Sequence, residues 1–274
     1  MEGSTTKRTP LPPRGRREAT TAMMKQQQDE RRGSVVVRVC VDVISDTMCP
    51  WCWVGKRNLE LALRGAATAE GIEADVNWLP YFLDRDLDDG DEGTPTEDYY
   101  LKNYGDSQAG ERMKLRLVPE GSKVGIDFSK YCEVSRFRPT IRSHLLIDYA
   151  KRNGKQDEVV EALFRMFCQE GKALNDVENL VEVAERAAGL DGNEARAYIE
   201  SESNRRRIYE LAESVEDLAD GVPTFIFYLR DHHEGGGPRY TLGGSQSPEA
   251  FRAVLEKLAV HQKRLDRLDK KRDG

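Results

Sequence analysis

The sequence predicts an α/β domain interrupted by an all-helical insertion. Three observations predict it. Strand-like β-branched runs lie only toward the two ends of the chain, the middle from Thr96 to Asp220 has helical three-and-four periodicity almost throughout, and the elements run β-α-β, helices, then β-β-α. On this reading residues 34–95 and 221–260 form one α/β domain and residues 96–220 the inserted helical domain. Residues 1–33 form a disordered tail, and 261–274 the charged end of the last helix.

Each element has its own signal. Residues 1–33 hold Pro10, Pro12 and Pro13, a glutamine run and few aliphatic side chains, too little apolar surface to order the segment. An Arg-rich organelle transit peptide is the alternative, opposed by Glu2, Glu18, Asp29 and Glu30. Val35 to Ile44 reads as a strand buried on both faces or nearly so, ending at Ser45-Asp46. A helix follows Cys49-Pro50-Trp51-Cys52, with Cys52, Leu59, Leu63 and Ala66 on one face, Gly55 beside them for close packing, and Gly71 as its stop. Ala74 to Phe82 reads as the second strand and Asp84 to Pro95 as an acidic loop. In the middle, His144, Leu145, Asp148 and Tyr149 share one helix, and Val159, Leu163, Phe164, Phe167 and Cys168 a second. Leu180, Val183, Ala184 and Ala187 lie on a third, capped at Asn175-Asp176. Pro223 to Leu229 and Arg239 to Leu242 read as strands around a turn at Gly235-Gly236-Gly237, and Pro248 opens the last helix. This is the thioredoxin order with a helical block placed inside it.

Composition narrows the function. With 38% hydrophobic and 33% charged residues and a mean hydropathy of -0.67, no stretch approaches the roughly 20 apolar residues of a bilayer span. No secretory signal is visible either. The expected setting is cytoplasmic, with no membrane partner. Residues 1–33 carry eight basic and four acidic side chains, so most of the chain is more acidic than its overall net charge of -6. An acidic body argues against a nucleic-acid partner.

Five cysteines are too few and too scattered for a secreted disulfide scaffold, and only Cys49 and Cys52 are close in sequence. At a strand-to-helix turn these two sulfurs share a helix face, where free N–H groups and the macrodipole favour a thiolate at Cys49. Cys49 is then the attacking thiol and Cys52 the deeper, resolving one. Pro50 suits the first helical turn, and Trp51 points outward beside the reactive sulfur. A tetrathiolate zinc site needs a second pair, which Cys40, Cys132 and Cys168 do not supply, so no metal is expected.

The run Asp42-Val-Ile-Ser-Asp-Thr-Met-Cys-Pro-Trp-Cys-Trp-Val-Gly-Lys56 resembles the FrnE-like branch of the DsbA-like thioredoxin-fold oxidoreductases. Relatives of that branch include 2-hydroxychromene-2-carboxylate isomerases and kappa-class glutathione transferases. Gln156 to Phe164 with Glu170-Gly171, Gly221-Val-Pro-Thr-Phe225, and Leu242 to Phe251 are similar to the same family, so the resemblance covers about Val35 to Leu258. It implies that Pro223 is a cis-proline facing the cysteines and that Val222, with Pro223 and Thr224, presents an edge to an extended substrate. It also implies a thiol-disulfide exchange on protein or small-molecule substrates, with no bound cofactor and with glutathione or another thiol system as electron partner. Where the relatives carry an asparagine five residues before the histidine matching His144, this chain has Pro139-Thr140. His144 itself reads as a core or groove histidine.

Two rival functions stand beside this one: a glutathione-dependent isomerase or transferase on the same fold, and a client-binding module without turnover. The isomerases and transferases typically carry serine at the position of Cys49, which favours redox use here. Trp51, Trp53 and the helical block are expected to wall one side of a groove, with Phe82 a further candidate. Asp42 is a possible proton acceptor for Cys52, provided its strand face lies beneath the helix.

Overall fold

The computed structural model describes residues 36–87, 93–230 and 237–272. The expected tail at 1–33 lies outside the described residues, as do parts of the acidic loop, of the glycine turn and of the C-terminal end.

Strand β1 (Val37–Ser45) leads into helix α1 (Pro50–Glu70) and strand β2 (Ile72–Pro80). After the helical block come β5 (Thr224–Leu229), β6 (Arg239–Gly243) and α10 (Pro248–Arg272). The sheet order is β2-β1-β5-β6, with β1 parallel to β2 and antiparallel to β5, and β6 antiparallel to β5. This is the thioredoxin arrangement that the element order predicts. The parallel β1–β2 pair needs a crossover, and α1 supplies it. Gly71 ends α1 in the left-handed conformation, φ 67°, which leaves room for β2 to start at once. For that reason β2 begins two residues before the expected Ala74 and ends at Pro80 rather than Phe82.

Inside the insertion, β3 (Thr94–Pro95), α2 (Thr96–Tyr104), α3 (Ala109–Lys123), α4 (Ser129–Cys132) and β4 (Arg136–Phe137) precede five helices. These are α5 (Ile141–Arg152), α6 (Gln156–Glu170), α7 (Val177–Ala188), α8 (Gly192–Ile199) and α9 (Glu202–Glu216). The ladder of β3 with β4 was not expected, because two residues per strand are too few to show alternation. Asp176 caps α7 as its sequence suggests, accepting from the N–H groups of Glu178 at 2.9 Å and Asn179 at 3.2 Å.

One apolar core joins the sheet to the insertion. On the sheet side Val37, Val39, Val41 and Val43 pack with Cys52, Leu59 and Ala66 of α1 and with Phe251 and Leu255 of α10. Phe225 and Phe251 meet at 4.7 Å between ring centres. The opposite face of β1 is only partly covered: Ile44 packs with Ile226 and Val215 of α9, whereas Arg38 is exposed and Cys40 and Asp42 are half-buried. The expectation of a strand buried on both faces is therefore corrected. The polar residues at 38 and 42 mark an alternation that the valine-rich run obscures.

Candidate active site

The turn between β1 and α1 carries both sulfurs. Cys49 occupies the N-cap with extended backbone angles, φ -84° and ψ 108°, and Pro50 sits in the first turn, where its missing N–H leaves nothing unpaired. The Cys52 N–H donates to the Cys49 carbonyl at 3.1 Å, and the Cys49 N–H to that of Asp46 at 3.1 Å, so the chain folds tightly around the pair. All five cysteines are free thiols. Cys49 is 6% exposed and Cys52 fully buried. Burial pushes the Cys52 thiol well up, and the neighbouring Cys49 adds to it; the Ser45 hydroxyl and the Asp46 backbone N–H act in the opposite direction by hydrogen bonding to the sulfur.

The loop before β5 faces this turn. The Val222–Pro223 bond is cis, as the resemblance implies, and the Cys49 Sγ lies 3.9 Å from the Val222 carbonyl oxygen. Gly55 makes that approach possible, since a Cβ there would stand 2.9 Å from Phe225 Cζ and 3.2 Å from Pro223 Cγ. Val222 is half-buried and Pro223 buried. Thr224 departs from the expected substrate edge. It is 4% exposed and its hydroxyl donates to the Gly221 carbonyl at 2.7 Å, so it braces the loop.

The aromatic residues divide. Trp51 is half-buried and rests on the core. Trp53, expected in a groove wall, is instead 1% exposed, stacked on Phe164 and set edge-on to Phe128, with its Nε1 donating to Glu161 at 3.1 Å. The cause is α6, which covers α1 on a second side. Below Trp53, the buried Lys56 meets Asp157 at 3.0 Å, Glu161 at 3.5 Å and Glu60. Burial pulls the Lys56 ammonium down, but the three carboxylates outweigh it and the net shift is upward. Four tyrosines of the insertion, Tyr99, Tyr100, Tyr104 and Tyr131, stand near enough to Cys49 for its charge to raise them, although burial is the larger cause in each. Their only local mark in the sequence is the cluster Tyr99-Tyr100-Leu-Lys-Asn-Tyr104, which carries no spacing rule that ties it to the cysteines.

Asp42 is a correction. Its carboxylate accepts from Asn77 Nδ2 at 2.8 Å and from the Tyr228 hydroxyl at 3.1 Å, on the strand face opposite Cys52. Beside the cysteines stands a different acid. Asp46 is fully buried and accepts from the Leu83 N–H at 2.8 Å and the Met48 N–H at 3.4 Å. Its Oδ1 is 3.5 Å from Nε2 of His144, an imidazole 4% exposed and set edge-on to Phe82 at 5.3 Å. Cys168 is buried in the core as expected, and burial raises its thiol. Among the described residues no three His, Cys, Asp or Glu side chains converge as a metal site requires, and no helix is long and apolar enough to cross a membrane.

A model of the DsbA-like thioredoxin domain matches residues 40–256, from within β1 to the first half of α10. The chain belongs to the DsbA-like thioredoxin-domain family. Within that family setting it is 26% identical over 190 residues to the uncharacterized protein YwbO of Bacillus subtilis, covering 69% of this chain and 86% of that one. A crystal structure of a probable DsbA oxidoreductase from Streptomyces coelicolor is 27% identical and superimposes with a TM-score of 0.66, over 80% of this chain and 89% of that chain. The cytosolic disulfide reductase DsbM of Pseudomonas aeruginosa, solved with glutathione, shares the fold at 19% identity and a TM-score of 0.55, over 80% of this chain and 98% of that one. The DsbA-like fold with a helical insertion is thus common ground between this chain and its relatives, and in this chain it brings Cys49 and Cys52 together at the start of α1.

Proposed function

We propose that this DsbA-like protein is a thiol-disulfide oxidoreductase of the FrnE-like branch, working through Cys49 and Cys52 on protein or small-molecule substrates. The observation that carries the reading is the placement of Cys49 at the start of α1, 3.9 Å from the Val222 carbonyl, with Cys52 buried one turn behind it. Cys49 attacks a substrate disulfide through its thiolate and forms a mixed disulfide. Cys52 then attacks Cys49 and releases the substrate thiol. Val222 offers a half-buried backbone against which an extended client can pair.

Glutathione or another thiol system returns the pair to its working state. The glutathione held by DsbM makes that thiol the first to test. The small number of scattered cysteines supports a cytoplasmic setting. Insulin reduction and dithiol oxidation, run beside a glutathione-conjugation assay, test the reading. Cys49→Ser is expected to abolish both redox activities. Conjugation that survives in Cys49→Ser would favour the transferase alternative, and client binding with no turnover in the unaltered protein the binding module.

A further inference from the structure

Cys52 has to lose its proton before it can attack, inside a core that holds that proton tightly. The acid expected to accept it, Asp42, lies on the wrong face of the sheet. What the structure puts on the right face is a buried polar path. The Ser45 hydroxyl stands near enough to the Cys52 sulfur to favour its thiolate. Ser45 also lines a cavity of about 20 Å³ together with Thr47, Trp78 and His144, enough room for one water. His144 Nε2 is buried without a hydrogen-bond partner, a condition native side chains rarely tolerate without a use. Two other titratable groups line the same cavity and both are engaged elsewhere: Asp148 with Arg207 and Tyr198, Lys151 with Asn77.

We infer that His144, which stands beside Asp46, takes up the Cys52 proton during resolution of the mixed disulfide, through Ser45 and a water in this cavity. The inference rests on the redox reading of the cysteine pair. In the step, the Cys52 thiol proton passes to Ser45 Oγ as the serine proton passes to water and a water proton to Nε2, a net transfer of one proton. The freed Cys52 electron pair forms the bond to Cys49 sulfur. The bond from Cys49 to the substrate sulfur breaks, and its electron pair leaves on the substrate thiolate. The imidazolium is balanced by the Asp46 carboxylate at 3.5 Å and later returns its proton to solvent. Nothing is oxidised or reduced beyond the exchanging sulfurs. Asp46 thereby has two duties, since the same carboxylate ties the turn to the Leu83 backbone.

The test uses the reduced protein in a Cys40→Ser/Cys132→Ser background with dithionitrobenzoate, an aromatic disulfide. It releases one coloured thiolate on attack by Cys49 and a second on resolution by Cys52. His144→Gln is expected to slow the second release by about tenfold or more and to leave the first within about twofold. In His144→Ala, added imidazole should restore the second release, which a merely structural histidine would not allow. Ser45→Ala should slow the second release too, and decides the matter if the His144 variants do not fold. An unchanged second release, equal slowing of both, or slowing of the second that imidazole fails to relieve overturns the inference. A Cys49→Ser protein that still gives both releases overturns the redox reading instead.

Discussion

One aspartate lies on β1 and a second in the turn that follows it, and the two carboxylates meet different surroundings. Asp42 faces Asn77 and Tyr228 on the thinly covered side, half-buried and fully hydrogen-bonded. Asp46, four residues on, has turned with the chain toward α1 and α5, where it is buried against two backbone N–H groups and an imidazole whose Nε2 makes no hydrogen bond. A carboxylate satisfied by neutral donors near solvent is a structural acid. One buried beside an imidazole and a buried thiol is placed to balance positive charge that arises there. The difference is made by which helices cover each face: α1 and α10 close one side, while only α9 reaches the other near Ile44.

The largest effect should come from disturbing the covered face. Gly55→Val places branched carbon where a single Cβ already falls 2.9 Å from the Phe225 ring and 3.2 Å from Pro223. Overpacking of this kind costs about 1 to 3 kcal/mol. It should also push the Val222 loop away from Cys49, so urea unfolding should show the lost stability and the initial attack on a disulfide should slow. A protein of unchanged stability and attack rate would mean that the two loops are not held by this contact.

A smaller effect separates the two sulfurs themselves. Iodoacetamide should label Cys49 before Cys52 at every pH, followed by mass spectrometry of the peptides. Because burial and the adjoining Cys49 raise the Cys52 thiol from its ordinary 9.0, its labelling should rise only above that pH. The same shift has a stability sign. Below the ordinary value both the folded and unfolded chain keep the Cys52 proton. Above it the unfolded chain ionises first, so reduced protein should lose stability with rising pH relative to Cys52→Ser. Faster labelling at Cys52 would reverse the assigned roles.

The comparison also explains what could be read from the chain. Element order, the glycine stop of α1, the Asp176 cap and the cysteine pair at a strand-to-helix turn are local signals, each fixed by a few neighbouring residues. The site's second layer is not local. Asp46 and His144 come from β1's end and from α5, and no spacing rule connects them. Trp53 follows the cysteines in sequence and so looked like part of the groove, but α6 folds over it and its indole N–H ends on Glu161. Parity correctly grouped Asp42 with Cys40 and Ile44. Which face the helix would cover depended on packing that alternation alone does not encode.

The smallest expected effect is at Asp42, and it sharpens the comparison most. Asp42→Asn keeps the shape of the side chain and removes its charge. Tyr228 is raised first by burial and then by the Asp42 charge and hydrogen bond, so its phenol should titrate lower in the variant, as ultraviolet absorbance would report. Replacing two hydrogen bonds to a carboxylate by weaker neutral ones should lower stability by about 1 kcal/mol in urea. Both thiolate releases from dithionitrobenzoate should stay within about twofold of the parent protein, because the sheet itself stands between this carboxylate and Cys52. Selective slowing of the second release would bring Asp42 back into the chemistry. It would mean that a charge on the open face reaches the thiol through the strand, and that the division of labour between the two aspartates is wrong.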